Sequence, residues 1–198
     1  MNRTLLFLCL LLLFTACGTD STTDTPPEAP GDGLNGPFAE LSTDLEGDNP
    51  DAPAIAARLR QLFPSVSDAQ TGALDVDVSR QYVALAEAFA DKFPADTVAA
   101  PPLYNAAEVA LALGQPQRAA DIYARLYHQY RTFSKAPEAL FMLAFTHDEN
   151  LKDTASARTY YRQFIDTYPT HTFADDSEML IRNLGKSDAE LLRELEGS

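Results

Sequence analysis

The sequence predicts an all-α fold, an α-solenoid in which antiparallel helix pairs stack on one another. Three observations predict it. Apolar residues recur at spacings of three and four rather than two, which is the period of a helix and not of a strand. Prolines and capping residues divide the chain into segments of helical length. A pattern of alanines and aromatic residues recurs after 37 to 38 residues, and such internal repetition is typical of stacked architectures.

The N-terminus has the pattern of an export signal. A basic residue, Arg3, precedes an unbroken apolar run at 5–14, and the small pair Thr15-Ala16 follows it. About ten apolar residues are half of the twenty that a membrane-spanning helix needs. A charged start, a short apolar core and small residues before the cut are typical of a secretory signal peptide. Residues 1–16 are therefore predicted to be removed.

Cys17 follows the predicted cut. The stretch Phe14-Thr15-Ala16-Cys17 resembles the lipobox of bacterial lipoproteins, with Phe14 in place of the usual leucine. The resemblance implies lipid on Cys17, and two or more acyl chains anchor a protein stably. Cys17 is also the only cysteine after the signal, so no internal disulfide is expected. The alternative is ordinary cleavage with Cys17 as a bystander. Position 18, directly after the lipobox cysteine, holds glycine and not the aspartate that retains lipoproteins in the inner membrane. By analogy, this favours an outer-membrane anchor facing the periplasm.

Charge limits the classes of partner. The chain carries 29 acidic and 15 basic residues, a net charge of −14. Such a charge disfavours binding to nucleic acid and adhesion to an anionic membrane surface. No second apolar segment approaches the length of a membrane span, so lipid would be the only anchor.

Residues 17–50 are predicted to be a flexible acidic tether. They are rich in Thr, Asp, Pro and Gly, and they hold too little apolar surface to offset the entropy of ordering. Late in this segment Phe38, Leu41 and Leu45 stand at helical spacing. A short helical turn that docks through these residues is therefore an open alternative there.

Residues 51–198 are predicted to form the helical domain. Asp51-Ala52-Pro53 opens a first helix that Pro64 ends after Phe63, because proline fits the first turn and cannot continue the last. A loop follows at 65–74. Asp75 or Asp77 begins a second helix that ends at Phe93. Further helices are predicted at about 99–113, 116–131, 136–151, 154–168, 173–184 and 187–195.

The repeat links 103–130 to 140–168, with one extra residue in the turn of the second copy. Small residues recur within each copy, where they let two helices approach closely, and large residues recur where they would fill the space between successive pairs. The small pairs are Ala107/Ala144 and Ala119/Ala157, and the large pairs are Tyr123/Tyr161 and Leu126/Phe164. Full repeats are predicted at about 99–132 and 136–169, with half repeats on each side and a C-terminal cap.

This pattern resembles the tetratricopeptide repeat (TPR), at a period slightly longer than the usual 34 residues. The segments "FADKFP", "ALGQPQRAADIYARLYHQY" and "SARTYYRQFIDTYP" are also similar to TPR lipoproteins of bacterial envelopes, the BamD-like and YbgF-like proteins. BamD-like proteins have about five repeats, whereas this chain has room for two. The resemblance implies a protein-binding scaffold, with a role in outer-membrane protein assembly as the finer expectation.

The resemblance also implies a groove lined by the first helix of each pair. The nine matching positions are Tyr104, Asn105, Glu108, Leu111, Phe141, Met142, Phe145, Asp148 and Glu149. Aromatic residues and methionine with acidic edges suit an apolar peptide or helix that carries basic residues. No Lys or Arg occupies the slots with which heat-shock-binding TPR domains clamp a terminal carboxylate. The alternative is that Phe141 and Phe145 pack on the helix of the next repeat.

Catalytic, metal and cofactor sites are not predicted. His128, His147 and His171 have no second His or Cys at a metal-binding offset. We expect His147 at a packed boundary and His128 in solvent. The pair Asp175-Asp176 lies in the first turn of a predicted helix, where carboxylates stabilise the dipole. No nucleophile or nucleotide motif occurs, so no enzyme is predicted.

A carbohydrate-binding lipoprotein of a nutrient-uptake system is the alternative function. SusD-like proteins of that kind also use TPR helices. They are far longer and carry an inserted lobe, and this chain has no tryptophan.

Overall fold

The structure is a computed structural model that describes residues 33–186 together with 189, 190 and 193. The predicted signal peptide, Cys17 and the first part of the predicted tether lie outside the described residues. Most of the helix predicted at 187–195 lies outside them as well.

The described residues form eight α-helices and no strand; Ser67 and Leu74 make an isolated bridge. The all-α prediction is confirmed. The helices are α1 (Gly36–Glu46), α2 (Ala52–Leu62), α3 (Val76–Lys92), α4 (Ala100–Ala112), α5 (Pro116–Gln129), α6 (Ala136–Phe145), α7 (Thr154–Thr167) and α8 (Ala174–Asn183). Short 3-10 segments occupy Phe63–Val66 and Thr97–Ala99, and a π-helical turn, Thr146–Asn150, extends α6.

The helices begin at the capping residues and prolines that the sequence predicts as helix starts. Asp51, Asp75 and Asp153 cap α2, α3 and α7, and each accepts the backbone N–H three residues further on at 3.1 Å. A side-chain oxygen at this position satisfies one of the N–H groups that the first turn leaves without a partner. Proline lies in the first turn of α4, α5 and α6, where its missing N–H costs nothing.

The predicted tether is wrong in its last part, since residues 36–46 form α1. Phe38, Leu41 and Leu45 are each at most 4% exposed. They lie on one face of α1, which packs against α3. The Asn35 N–H at the start of α1 donates to Gln81 Oε1 at 2.8 Å. The sequence shows these three apolar residues, but the surface that buries them lies in a helix some 40 residues later.

Helices α3 to α8 pack in chain order, each against the next. The four small residues predicted between the helices of a pair, Ala107, Ala144, Ala119 and Ala157, are all fully buried. The four large residues, Tyr123, Leu126, Tyr161 and Phe164, are fully buried too. Burial of such a side chain contributes about 1.5–3 kcal/mol. These positions confirm the packing that the repeat predicts.

The two pairs differ in their turns. Gly114, at φ +71°, ends the turn between α4 and α5, a left-handed conformation that glycine adopts without strain. In the second pair a π-helical turn follows α6, and Lys152, at φ +55°, precedes the cap of α7. Thr146 stabilises this turn, because its hydroxyl donates to the Met142 carbonyl at 2.7 Å. A π-turn inserts one residue into a helix without ending it.

Candidate partner-binding surface

The accessible side chains of α4, α6 and the π-turn form what we call the first-helix surface. Seven of the nine predicted groove residues are exposed or half-buried there. They are Asn105, Glu108, Leu111, Met142, Phe145, Asp148 and Glu149. The other two, Tyr104 and Phe141, are only 7% and 6% exposed. In the free chain these two rings are thus almost fully covered, with the Lys135 ammonium over that of Tyr104, and the binding role of the surface remains a prediction.

Phe141 is a core residue. Its ring centroid lies 5.8 Å from that of Phe164, 5.9 Å from that of Tyr161 and 4.6 Å from that of Phe173. The placement of Phe141 in an open groove is thus wrong: its ring packs on α7 of its own repeat and on Phe173, the residue before α8. Phe145 differs, because it is half-buried and stacks on Phe141 at 6.2 Å. Phe141 and Phe145 are four residues apart and therefore lie side by side on α6. The orientation of α6 turns Phe141 toward the core and leaves Phe145 closer to solvent.

Tyr104 is covered by neighbours from two directions. Its ring meets Tyr123 of α5 at 5.8 Å and Phe133 of the following turn at 6.2 Å, both edge to face. The Lys135 ammonium lies 4.5 Å from the ring centroid. Burial raises the pKa of Tyr104 to about 12, and the negative charge of Glu108 adds to the effect. The placement of Tyr104 in an open groove is therefore also wrong.

Lys135 is the surface residue that sequence reasoning missed. It stands in the turn between α5 and α6 as the residue before the first turn of α6. The repeat pattern indicates no basic residue in the groove slots, and a turn residue is not among those slots. Only the folded turn brings its side chain over Tyr104.

Glu108 is accessible to water and yet surrounded by protein. Desolvation raises the pKa of its carboxyl, and the charge of Lys135 opposes this rise. The carboxylate in turn raises the pKa of the phenols of Tyr82, Tyr104 and Tyr123, so it lies near all three.

Asp148 repeats this situation at the end of α6. It is half-buried, and desolvation raises the pKa of its carboxyl. Glu149 adds to the rise, whereas Lys152 opposes it. Both carboxylates raise the pKa of the Tyr161 phenol, after the larger effect of burial.

Three buried tyrosines lie beneath these carboxylates. Tyr82, Tyr123 and Tyr161 are 0% exposed, and within the described part of the chain their hydroxyls have no hydrogen-bond partner. Burial raises the pKa of Tyr82 to about 12 and raises the pKa of the other two as well. Buried hydroxyls are usually hydrogen-bonded. Asn105 lies close to the Tyr82 hydroxyl and Asp148 to the Tyr161 hydroxyl, without a hydrogen bond of good geometry, so Tyr123 is the most isolated of the three.

The acidic residues between the second helices are arranged differently. The Arg118 Nε donates to Glu87 Oε2 at 3.0 Å, and Arg125 Nη1 lies 2.6 Å from Asp91 Oδ1. These pairs join α5 to α3. In residues 33–186, by contrast, neither Glu108 nor Asp148 has a basic group within ion-pair distance. Within the described residues, the first-helix surface therefore has two carboxylates without an ion pair, Glu108 and Asp148, whereas Glu149 pairs with Lys152 at 3.4 Å.

The histidines lie where the sequence predicts them. His128 is exposed on α5, and His171 lies in the turn before α8, where its Nδ1 accepts the Phe173 N–H at 3.2 Å. His147 is half-buried against Tyr160, with its Nδ1 3.4 Å from Asp153 Oδ2. Asp175 and Asp176 lie in the first turn of α8, as predicted. Among the described residues, no group of three or more His, Cys, Asp or Glu is placed to hold a metal ion.

Within the described part of the chain, no helix has both the length and the apolar character needed to cross a bilayer.

Comparison with known proteins points to one family. The family model of the tetratricopeptide repeat matches residues 103–132 and 138–171. These segments overlap the two repeats predicted from the sequence, and they correspond to α4–α5 and α6–α7. No curated protein and no solved structure matches the chain. The chain contains two tetratricopeptide repeats.

Proposed function

We propose that this protein is a lipid-anchored scaffold or adaptor of the bacterial cell envelope, without enzymatic activity, that binds a protein partner on its first-helix surface. Tetratricopeptide repeats generally mediate binding to protein partners. One observation carries the choice of surface: Met142 and Phe145 stay accessible there, in the same helix and turn as Asp148, a carboxylate without an ion pair among the described residues. Methionine and aromatic side chains are adaptable anchors for apolar groups of a partner.

The anchor and the location rest on the N-terminal sequence. The apolar run at 5–14 and the lipobox-like stretch that ends at Cys17 support export and lipid attachment. The resemblance to envelope TPR lipoproteins supports a place at the outer membrane and a role in protein assembly there.

Capture of the partner tests the binding surface. The full lipidated chain, extracted in mild detergent from its own cells, should recover a specific partner. Met142→Glu should reduce recovery about tenfold or more, because a charge replaces an apolar anchor. Thr159→Glu is the matched control, since it adds the same charge on an exposed position of α7. Equal recovery by both variants would contradict the assignment of the surface.

Labelling tests the anchor separately. Cells fed an alkyne analogue of palmitate should label the wild-type chain, and the label should sediment with membranes. Cys17→Ser should lose the label and accumulate as uncleaved precursor. A labelled Cys17→Ser protein would overturn the lipid assignment without affecting the binding surface.

A further inference from the structure

Lys135 is held loosely on the first-helix surface. Its ammonium lies 4.5 Å from the Tyr104 ring centroid, and the residue is exposed. Within the described chain its ammonium has no ion pair, and Glu108 attracts it from beyond ion-pair distance. A cation–π contact of an exposed cation contributes about 0.5–1 kcal/mol, and Lys135 is exposed although the Tyr104 ring beneath it is only 7% exposed. Another cation that binds the same place more strongly would therefore displace it.

The neighbourhood of Lys135 is suited to a cation. Glu108 offers a carboxylate with no ion pair in the described residues, one helical turn from Tyr104 on α4 and close enough for its charge to act on the Tyr104 phenol. The Tyr123 hydroxyl, on a residue that is 0% exposed, lies by the same two groups and lacks a hydrogen-bond partner. An aromatic face and a carboxylate without an ion pair together provide one cation–π surface and one acceptor, and the buried Tyr123 hydroxyl lies behind them.

We propose that Tyr104 and Glu108 form a subsite for an arginine of the protein partner, and that Lys135 is an internal occupant which this arginine displaces. The proposal rests on the proposed function, because it assumes a partner on the first-helix surface. The partner segment is one in which an arginine stands close to apolar residues, which would contact Met142 and Phe145.

Arginine fits this place better than lysine. Its planar guanidinium stacks on an aromatic face and at the same time donates two parallel hydrogen bonds to one carboxylate. The lysine ammonium is a strongly hydrated point charge and makes no such paired contact. An arginine from a partner therefore gains more from Tyr104 and Glu108 than Lys135 loses on leaving them.

Matched peptides test the subsite. Arrays of fluorescent 12-residue peptides with a central arginine among varied apolar residues would be compared with arrays carrying citrulline, the neutral analogue, at that position. The full lipidated chain in detergent should bind the best arginine peptides about tenfold or more tighter than their citrulline partners, since a hydrogen bond to a charged group contributes about 1.5–3 kcal/mol.

Two variants assign the residues. Glu108→Gln should remove most of the difference between arginine and citrulline. Lys135→Met should increase the affinity for arginine peptides about two- to fivefold, because the Lys135–Tyr104 cation–π contact no longer has to break when they bind. The affinity for citrulline peptides should stay unchanged. Asp166→Asn is the control for a general loss of negative charge, because Asp166 is exposed on α7. Circular dichroism and unfolding midpoints of the variants should match those of the wild type.

Three results would overturn the subsite: equal or absent binding of both peptide arrays, weaker arginine binding by Lys135→Met, or an equal effect of Asp166→Asn and Glu108→Gln. The partner capture with Met142→Glu separates the two proposals. If Met142→Glu loses the partner while arginine and citrulline peptides bind the wild-type chain equally well, the proposed scaffold function is supported and the arginine subsite is wrong.

Discussion

The Phe141 ring of α6 lies 4.6 Å from the Phe173 ring, at an interplanar angle of 32°. Phe173 is the residue that precedes the first turn of α8. This contact joins the first helix of the second repeat to the element that follows the repeat. Since each helix pair of a solenoid leaves an apolar face for its neighbour to cover, the Phe141–Phe173 contact shows α8 serving as that neighbour.

Phe141 should therefore be a stability residue. Phe141→Ala should lower the free energy of unfolding by about 3–5 kcal/mol, because it leaves a cavity among Tyr161, Phe164 and Phe173. Phe145→Ala, at a half-buried position, should cost clearly less. Urea unfolding of the two variants measures both values. A loss of under about 1 kcal/mol for Phe141→Ala would contradict its place in the core.

Two buried tyrosines should respond in opposite ways to loss of the hydroxyl. The Tyr130 hydroxyl donates to the Phe93 carbonyl at 3.3 Å, whereas the Tyr123 hydroxyl has no partner among the described residues. Tyr130→Phe should cost about 1 kcal/mol, and Tyr123→Phe should be neutral or stabilising, since an unsatisfied buried hydroxyl is removed. Thermal unfolding of both variants checks this. A larger cost for Tyr123→Phe would indicate a partner that the buried hydroxyl uses.

The ion pair of Arg118 and Glu87 should contribute more than an exposed pair. Its side chains are 21% and 27% exposed, and two guanidinium nitrogens contact the same carboxylate oxygen. A double-mutant cycle on unfolding should give a coupling energy of about 1 kcal/mol or more. The same cycle on Arg182 and Glu178, at 66% and 58% exposure, should give about 0.3–0.5 kcal/mol. Equal couplings would show that the first pair does not hold α5 to α3.

Glu108 should titrate above its ordinary pKa of 4.5, because desolvation disfavours the charged carboxylate. Lys135→Met should raise this pKa further, since it removes the charge that opposes the rise. Carboxyl ¹³C NMR titration measures both. A lower pKa of Glu108 in the Lys135→Met variant would contradict the proximity of the two groups.

The raised pKa of Glu108 also predicts how the stability of the fold depends on pH. The folded pKa of Glu108 is raised above the unfolded value, so the folded chain binds this proton more readily. Its contribution to the free energy of unfolding is most favourable below pH 4.5 and is lost as the pH rises through the folded pKa. Glu108→Gln should remove that part of the pH dependence, whereas Asp166→Asn serves as the exposed control.

The fold is predictable from the sequence because its signals are local or repeat along the chain. Asp51, Asp75 and Asp153 mark three helix starts through their caps, and the alanine pairs mark the close approach of helices. The tether that proved to contain α1 is the exception. Phe38 and Leu41 are visible in the sequence, but their burial depends on α3, and no local pattern predicts that contact.

The surface is predictable only in part, for a different physical reason. Residues of one helix share a face by spacing, yet small rotations of the helix decide whether Tyr104 and Phe141 reach water or the core. The turn residues beside the surface are less predictable still. Lys135 comes from a turn, and its position over Tyr104 depends on how that turn folds against α4.

Photocrosslinking in living cells tests the central claim most directly. Benzoylphenylalanine placed at Phe145 should form a covalent adduct with one protein partner after illumination, because this side chain is accessible on the first-helix surface. The same amino acid at Thr159, exposed on α7, is the control and should form none. Adducts at Thr159 and none at Phe145 would contradict the claim that the first helices of the two repeats bind the partner.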